Sequence, residues 1–199
     1  EPEKKGASMS EPALIVIDMQ NSFLHPKGEN YYPAAGETVE PVRRLLQAAR
    51  AGKRLIVHTL DRHRRGLIDF EQKRLPEHCL EGGFDAAYFE GFGPLADNPR
   101  EVEIVKRRYS AFFATDLGLM LRENGVETAI ICGVKTNVCV RATSQDAFAN
   151  GFKVVVPRQA TNSNRANLQD ASLEDIDRYL GHVVELDEAL SQLAGGSDG

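Results

Sequence analysis

Two unbroken apolar runs constrain this chain more than any other feature: residues 13–17 (ALIVI) and 128–132 (TAIIC). A strand with one wet face alternates apolar and polar side chains; a strand covered on both faces does not. Both runs therefore read as central strands of a parallel sheet. Asp18 ends the first and Gly133 ends the second. Beyond Gly133, residues 138–149 carry apolar side chains at helical spacing. That places Cys139 at or just inside a helix N-terminus, on the carboxyl edge of the sheet. Free N–H groups and the positive end of a helix dipole favour a thiolate there, and could hold an oxyanion. The competing reading is a small buried hydrophobe, the ordinary fate of a free cysteine. Asp18 has a similar pair of readings: a carboxylate that closes a turn, or one placed where open α/β sheets gather ligands.

The remaining pattern extends the sheet. Residues 37–51 put Val39, Val42, Leu45, Leu46 and Ala49 on one face and stop at Gly52, an amphipathic helix. Further strands are expected at 54–60, 101–105, 153–156 and 182–185. Helices are expected at 116–124, with Thr115 or Asp116 as cap, at 173–180 and at 187–193. Residues 61–100 are rich in Gly, Pro and charge, and a connection this long is usually functional. Strand and helix alternate throughout without internal repeat. The fold class is therefore α/β, in three αβα layers around a parallel sheet of about six strands.

At 199 residues the chain suits one domain, placed at 11–194, between tails at 1–10 and 195–199. Net charge is −5, and no basic cluster exceeds Arg62-His63-Arg64-Arg65, so nucleic acid is not an expected partner. No apolar run nears the ~20 residues that span a bilayer, and residues 1–10 are too polar for a signal-peptide core. No membrane partner is expected. Cysteines at 79, 132 and 139 have no framework spacing and suit a reducing, cytoplasmic setting.

Three separated pieces resemble the isochorismatase-like cysteine hydrolases: LIVIDMQNSF (14–23), VKRRYSAF (105–112) and GVKTNVCV (133–140). They occur in that family's order, and the likeness runs from about residue 13 to about residue 190. The resemblance implies a Rossmann-like fold and an Asp–Lys–Cys triad on Asp18, Lys106 and Cys139. It implies a non-proline cis peptide between Val134 and Lys135, which would aim the Lys135 and Cys139 N–H groups at an oxyanion. It places Phe23, Tyr109 and Val134 against the substrate. Family members commonly form homodimers or homotetramers, so the same is expected here. Lys135 is a departure, because the family more often has a small or β-branched residue there. Without the resemblance, Lys106 beside Arg107 and Arg108 would read as one of three solvated charges.

The chemistry needs each part. A thiolate attacks the amide, a proton donor releases the amine, and a cation favours the ionised forms. Cys79 and Cys132 read as structural.

A metal site is also expected. In an extended Asp61-Arg62-His63, the first and third side chains project to one side. With Glu71 and His78 they make a mixed O/N set for Zn²⁺, Mn²⁺ or Fe²⁺. Two surface histidines in a polar loop is the alternative. The set resembles the metal site of nicotinamidases, where the metal binds the pyridine nitrogen. Leu75 stands where nicotinamidases usually have an aromatic, the chain has no Trp, and Glu81-Gly82-Gly83 replaces their usual Gly-Thr. No organic cofactor is expected.

The reading is an amidohydrolase that releases ammonia from a small amide through a thioester, with nicotinamide the first candidate. A carbamoyl, ureido or maleamate-type amidohydrolase without metal is the alternative. Isochorismatase chemistry and a non-catalytic binding role rank below both.

Overall fold

The computed structural model describes residues 11–195, so the expected tail at 1–10, and all of that at 195–199 except Gly195, lie outside the described residues. Seven parallel strands form one sheet. They are β1 (Ala13–Ile17), β2 (Ile56–Asp61), β3 (Glu101–Lys106), β4 (Thr128–Val134), β5 (Lys153–Pro157), β6 (Thr161–Asn162) and β7 (His182–Val184). The order is β3-β2-β1-β4-β5-β7, with β6 on the end of β4. β6 is the strand the pattern missed. Two residues carry no periodicity, and it exists only because Gly133 and Val134 offer partners to Thr161 and Asn162.

β1 shows why its run is continuous. Leu14 and Val16 face one core, while Ala13, Ile15 and Ile17 face the other. The first core is covered by α2 (Val39–Ala51) and α6 (Leu186–Ala194) through Val42, Leu45, Leu46, Ala49, Leu186, Ala189 and Leu193. The second is covered by α3 (Leu117–Glu123), α4 (Arg141–Ala149) and α5 (Ala166–Tyr179). Leu45 and Leu46 are fully buried, and each contributes about 2 kcal/mol relative to exposure. This is the three-layer αβα Rossmann-like fold expected.

The boundaries differ in places. A one-turn helix, α1 (Asn21–Leu24), follows β1. α5 begins at Ala166, seven residues before the expected 173, because 166–172 is polar and mostly exposed. Its buried anchors are Ser172, Leu173 and Ile176, so only the later turns carry an apolar stripe. The helix after β4 starts early, in a π-helical turn at Thr136–Val140 that runs into α4. Such turns often mark functional sites. Gly52 closes α2 for packing rather than conformation: a Cβ there would meet the Leu193 carbonyl oxygen at 2.0 Å. Among the described residues, no helix is long and apolar enough to cross a membrane.

Candidate active site

The carboxyl ends of β1, β2, β3 and β4 converge. Asp18 follows β1 with φ of 51°, a left-handed conformation that Asp tolerates better than most residues. Its amide N–H donates to Thr59 Oγ1 at 3.1 Å, and that hydroxyl donates back to Asp18 Oδ1 at 2.6 Å. The strand is thus locked to β2, and one carboxylate oxygen is already spoken for.

Lys106 reaches the other oxygen from two strands away. Its strand, β3, does not adjoin β1; β2 lies between them. Two strand spacings are roughly 9–10 Å, so only a long side chain crosses. Lys106 Nζ arrives 2.8 Å from Asp18 Oδ2, 3.9 Å from Asp61 Oδ1 and 3.5 Å from Cys139 Sγ. Lys106 and Asp18 Oδ2 thus form a buried ion pair. Lys106 is 1% exposed and Asp18 fully buried. Burial raises the Asp18 carboxyl, against the pull of Lys106. Burial alone would lower the Lys106 ammonium, but Asp18, Cys139 and Asp61 together hold it well above its ordinary value. Burial also raises the Cys139 thiol well above its ordinary range, with Lys106 the main opposing influence.

Cys139 is carried by the π-helical turn, whose start is fixed by hydrogen bonds from the Val138 and Val140 N–H groups to the Lys135 carbonyl. The Val134–Lys135 peptide is cis. Gly133 makes the approach of this segment possible. Its φ is +110°, and a Cβ would sit 2.1 Å from the Ile17 carbonyl oxygen. Gly133 pairs with Ile17 in the sheet, so any side chain would push the Cys139 segment away from Asp18.

The residues read as metal ligands also meet. The Asp61 carboxylate is 3.3 Å from His63 Nε2 by one oxygen and 3.3 Å from His78 Nε2 by the other. One ligand atom from each of the three lies within 4.8 Å of the others. Glu71 stands beside this group rather than in it, with Oε1 3.6 Å from His78 Nε2. Both rings are oriented from behind: His63 Nδ1 lies 2.7 Å from Asp69 Oδ2, and His78 Nδ1 lies 2.9 Å from the Pro76 carbonyl. With Nδ1 as donor, the neutral ring presents an Nε2 lone pair inward, as a metal ligand must. Asp61, by hydrogen bonding, raises His78 to about 9 and His63 upward too. His63 Nε2 is buried with only the 3.3 Å approach of Asp61 and no well-aligned hydrogen bond, and Glu71 Oε2 is buried without a hydrogen-bond partner. Two such atoms among two imidazoles and two carboxylates fit a divalent cation.

A cavity of about 230 Å³ joins the two groups, lined by Phe23, Tyr109, Val138, Lys135 and Cys139 together with Asp61, Glu71 and His78. Phe23 and Tyr109, expected against the substrate, are both on this wall. Val134 does not line it; its side chain is buried in the core. Leu75 is part of the wall. Cys132 and Cys79 are buried, with thiols pushed up chiefly by burial.

Several positioning residues escaped the sequence reading. Thr59 holds Asp18. Gln20 grips β2 beside Asp61, accepting from the Asp61 N–H at 2.8 Å and donating to the Asp61 carbonyl at 3.0 Å. Asp69 orients His63 and is itself held by Arg108 at 3.0 Å. A polar residue two before Glu71 was the one available hint for Asp69; Thr59 and Gln20 gave none.

Known proteins resemble this chain over most of its length. The Isochorismatase domain matches residues 12–188. A maleamate amidohydrolase from Pseudomonas putida is 34% identical over 187 residues, 92% of this chain and 86% of that protein. The structure of a cysteine hydrolase from Pseudomonas syringae pv. phaseolicola superposes with a TM-score of 0.86 at 29% identity, covering 92% of each chain. A pyrazinamidase of Pyrococcus horikoshii, solved in complex with zinc, superposes with a TM-score of 0.78 at 33% identity, over 88% of this chain and 99% of that one. The matched domain, the relatives and the shared architecture together mean that this chain belongs to the isochorismatase family, among its amidohydrolases.

Proposed function

We propose that the protein hydrolyses the carboxamide of a small planar amide through a thioester on Cys139, with nicotinamide as the first candidate. The observation that carries this reading is the convergence of Asp61, His63 and His78, of which Asp61 and His78 lie on the cavity wall that also presents Cys139. Asp18 Oδ2 takes the thiol proton as Sγ attacks the carbonyl carbon. Lys106 stabilises both the thiolate and the ionised Asp18. The N–H groups of Lys135 and Cys139 receive the oxyanion. Asp18 gives its proton to the departing ammonia, then deprotonates the water that cleaves the thioester. Asp61, His63 and His78 would hold a divalent transition ion, with Glu71 bound directly or through water. Such an ion supplies a Lewis-acid anchor for a ring nitrogen. The aromatic and aliphatic walls of Phe23, Tyr109 and Val138 sandwich a planar substrate and exclude water.

The test is His63→Ala. It is expected to abolish metal content and raise KM for nicotinamide at least about tenfold, while alkylation of Cys139 persists. Metal-free wild-type protein with unaltered nicotinamide turnover after added Zn²⁺, Mn²⁺ or Fe²⁺ would exclude this reading.

A second reading, a maleamate-type or carbamoyl amidohydrolase without metal, draws support from the similarity to the maleamate enzyme and from Leu75 on the pocket wall. The free state of Cys79, Cys132 and Cys139 supports a cytoplasmic setting. Exposed Leu67, Ile68, Phe70 and Phe113 support assembly as a homodimer or homotetramer.

A further inference from the structure

A group of arginines beside the active site takes no part in the chemistry above. Arg107 and Arg108 follow Lys106 at the carboxyl end of β3, and Arg64 lies in the segment after β2. The fold brings the three side chains around one hollow of about 320 Å³, outside the cavity that Cys139 lines. Asp69 is the one acid on its wall, and it is already engaged. Its Oδ1 accepts from Arg108 Nη1 at 3.0 Å, and its Oδ2 lies 2.7 Å from His63 Nδ1. Three guanidinium groups against one carboxylate leave two positive charges in excess, on a chain whose net charge is −5.

Arginines in a charged loop are ordinarily solvated and call for no ligand. Two observations set these apart. Arg107 Nε is buried without a hydrogen-bond partner, although buried polar atoms are almost always paired. Among the described residues no carboxylate pairs with Arg107 or Arg64, whereas nearby Arg62 meets Glu103 and Arg108 meets Asp69. Arg108 Nη1 also donates to the Arg107 carbonyl, so this side chain is fixed on two sides. Planar donor forks held in advance suit the oxygens of a phosphate. A carboxylate, with one charge, would leave half of the excess; a phosphate dianion matches it. The hollow also lies at the carboxyl edge of the sheet, where open α/β folds gather ligands.

We infer that the hollow formed by Arg64, Arg107 and Arg108 binds a phosphate group, free or at the end of a small organic molecule, at a site separate from the hydrolytic cavity. No bond is made or broken there, and the site stands whichever amide Cys139 takes.

The test is calorimetric titration of the whole protein with inorganic phosphate and with phenyl phosphate, at an ionic strength held constant with chloride so that screening does not contribute. Arg108 is left intact, because it also holds Asp69 behind His63. Arg107→Gln is expected to weaken binding at least about tenfold, the worth of one charge-assisted hydrogen bond. Arg64→Gln, at an exposed position, should weaken it about three- to fivefold. Arg107→Lys, which keeps the charge without the fork, should recover part of the loss. Lys135→Met, in the other cavity, should bind phosphate as wild type does. Melting curves in chloride alone establish that each variant is folded, and added phosphate should raise the Tm of wild type more than that of Arg107→Gln. Tighter binding of the ester would place its body against Ile68 and Phe113, which also line the hollow. Binding of the inorganic ion alone would mean that the assembly proposed above covers those two side chains. No binding by wild type, or binding undiminished in folded Arg107→Gln and Arg64→Gln, would overturn the inference; in the second case the ion sits on a metal at Asp61 and the histidines, or beside Lys135.

Discussion

Replacing Lys106 by Met should move the titration of Cys139 upward, and the structure sets the size of the effect. The ammonium lies 3.5 Å from Sγ. At an effective dielectric of about 20, a unit cation at that distance stabilises a thiolate by roughly 5 kcal/mol, equivalent to 3 or more pH units. The full amount will not be seen. Asp18, whose carboxyl burial already raises, loses its 2.8 Å partner and takes up a proton more readily. Its negative charge, which also opposes the thiolate, then disappears. The two changes act in opposite directions, leaving an expected rise of about 1–2 pH units. In the lower arm of the profile, iodoacetamide should therefore react about 10- to 100-fold more slowly, because thiolate fraction falls tenfold per unit. The assay is the second-order alkylation rate of Cys139 across pH, with Cys139→Ala as the blank for the buried Cys79 and Cys132. Thermal unfolding must be followed in parallel, since an ionised Asp18 left unpaired would cost about 3–5 kcal/mol. An alkylation profile that coincides with wild type in a folded Lys106→Met protein would refute the electrostatic role assigned to Lys106.

Cys139→Ala is expected to abolish ammonia release while keeping the circular dichroism and melting temperature of wild type; retained turnover would remove the thioester. Cys132→Ala, at a fully buried position of β4, should instead keep the activity and lose about 1 kcal/mol of stability, read by urea unfolding. His58 should make stability depend on pH. Burial lowers it from 6.5 to about 4, so between those values the unfolded chain binds more protons and stability falls as pH falls. The contribution is complete above the unfolded value, and about 3 kcal/mol is lost on going down to pH 4. Urea unfolding across that window should show the slope, and His58→Gln should flatten it. Gly133→Ala should cost at least about 3 kcal/mol, because the added Cβ meets the Ile17 carbonyl at a left-handed φ; a loss under about 1 kcal/mol would mean the β1–β4 junction yields easily.

How much of this was legible beforehand follows from how far each feature reaches in space. Local periodicity was enough for β1, β4 and α2, because the side chains that define them report burial within a few residues. Unbroken ALIVI could only be a strand covered on both sides, and it is. The nearness of Asp61 and His63 was legible for the same reason, since alternation along an extended segment is a local rule. α5 was half-seen, because its first two turns face water and lack a stripe.

What the tertiary structure decided are the relations that cross strands. Strand order is written in no local pattern, so the interposition of β2 between β1 and β3 was invisible, and with it the reason a long cation stands at 106. Thr59, Gln20 and Asp69 look like ordinary polar residues until Asp18, Asp61 and His63 are brought against them. Lys135 is the sharpest case. In the sequence it is a lysine in place of a small residue, with solvent and pocket equally open to it. Only when α1 and the segment before α2 bring Phe23 and Tyr32 beneath its ammonium does it become a cation held inside the cavity. A side chain's charge belongs to its residue type; whether that charge is paired depends on which elements the fold packs around it.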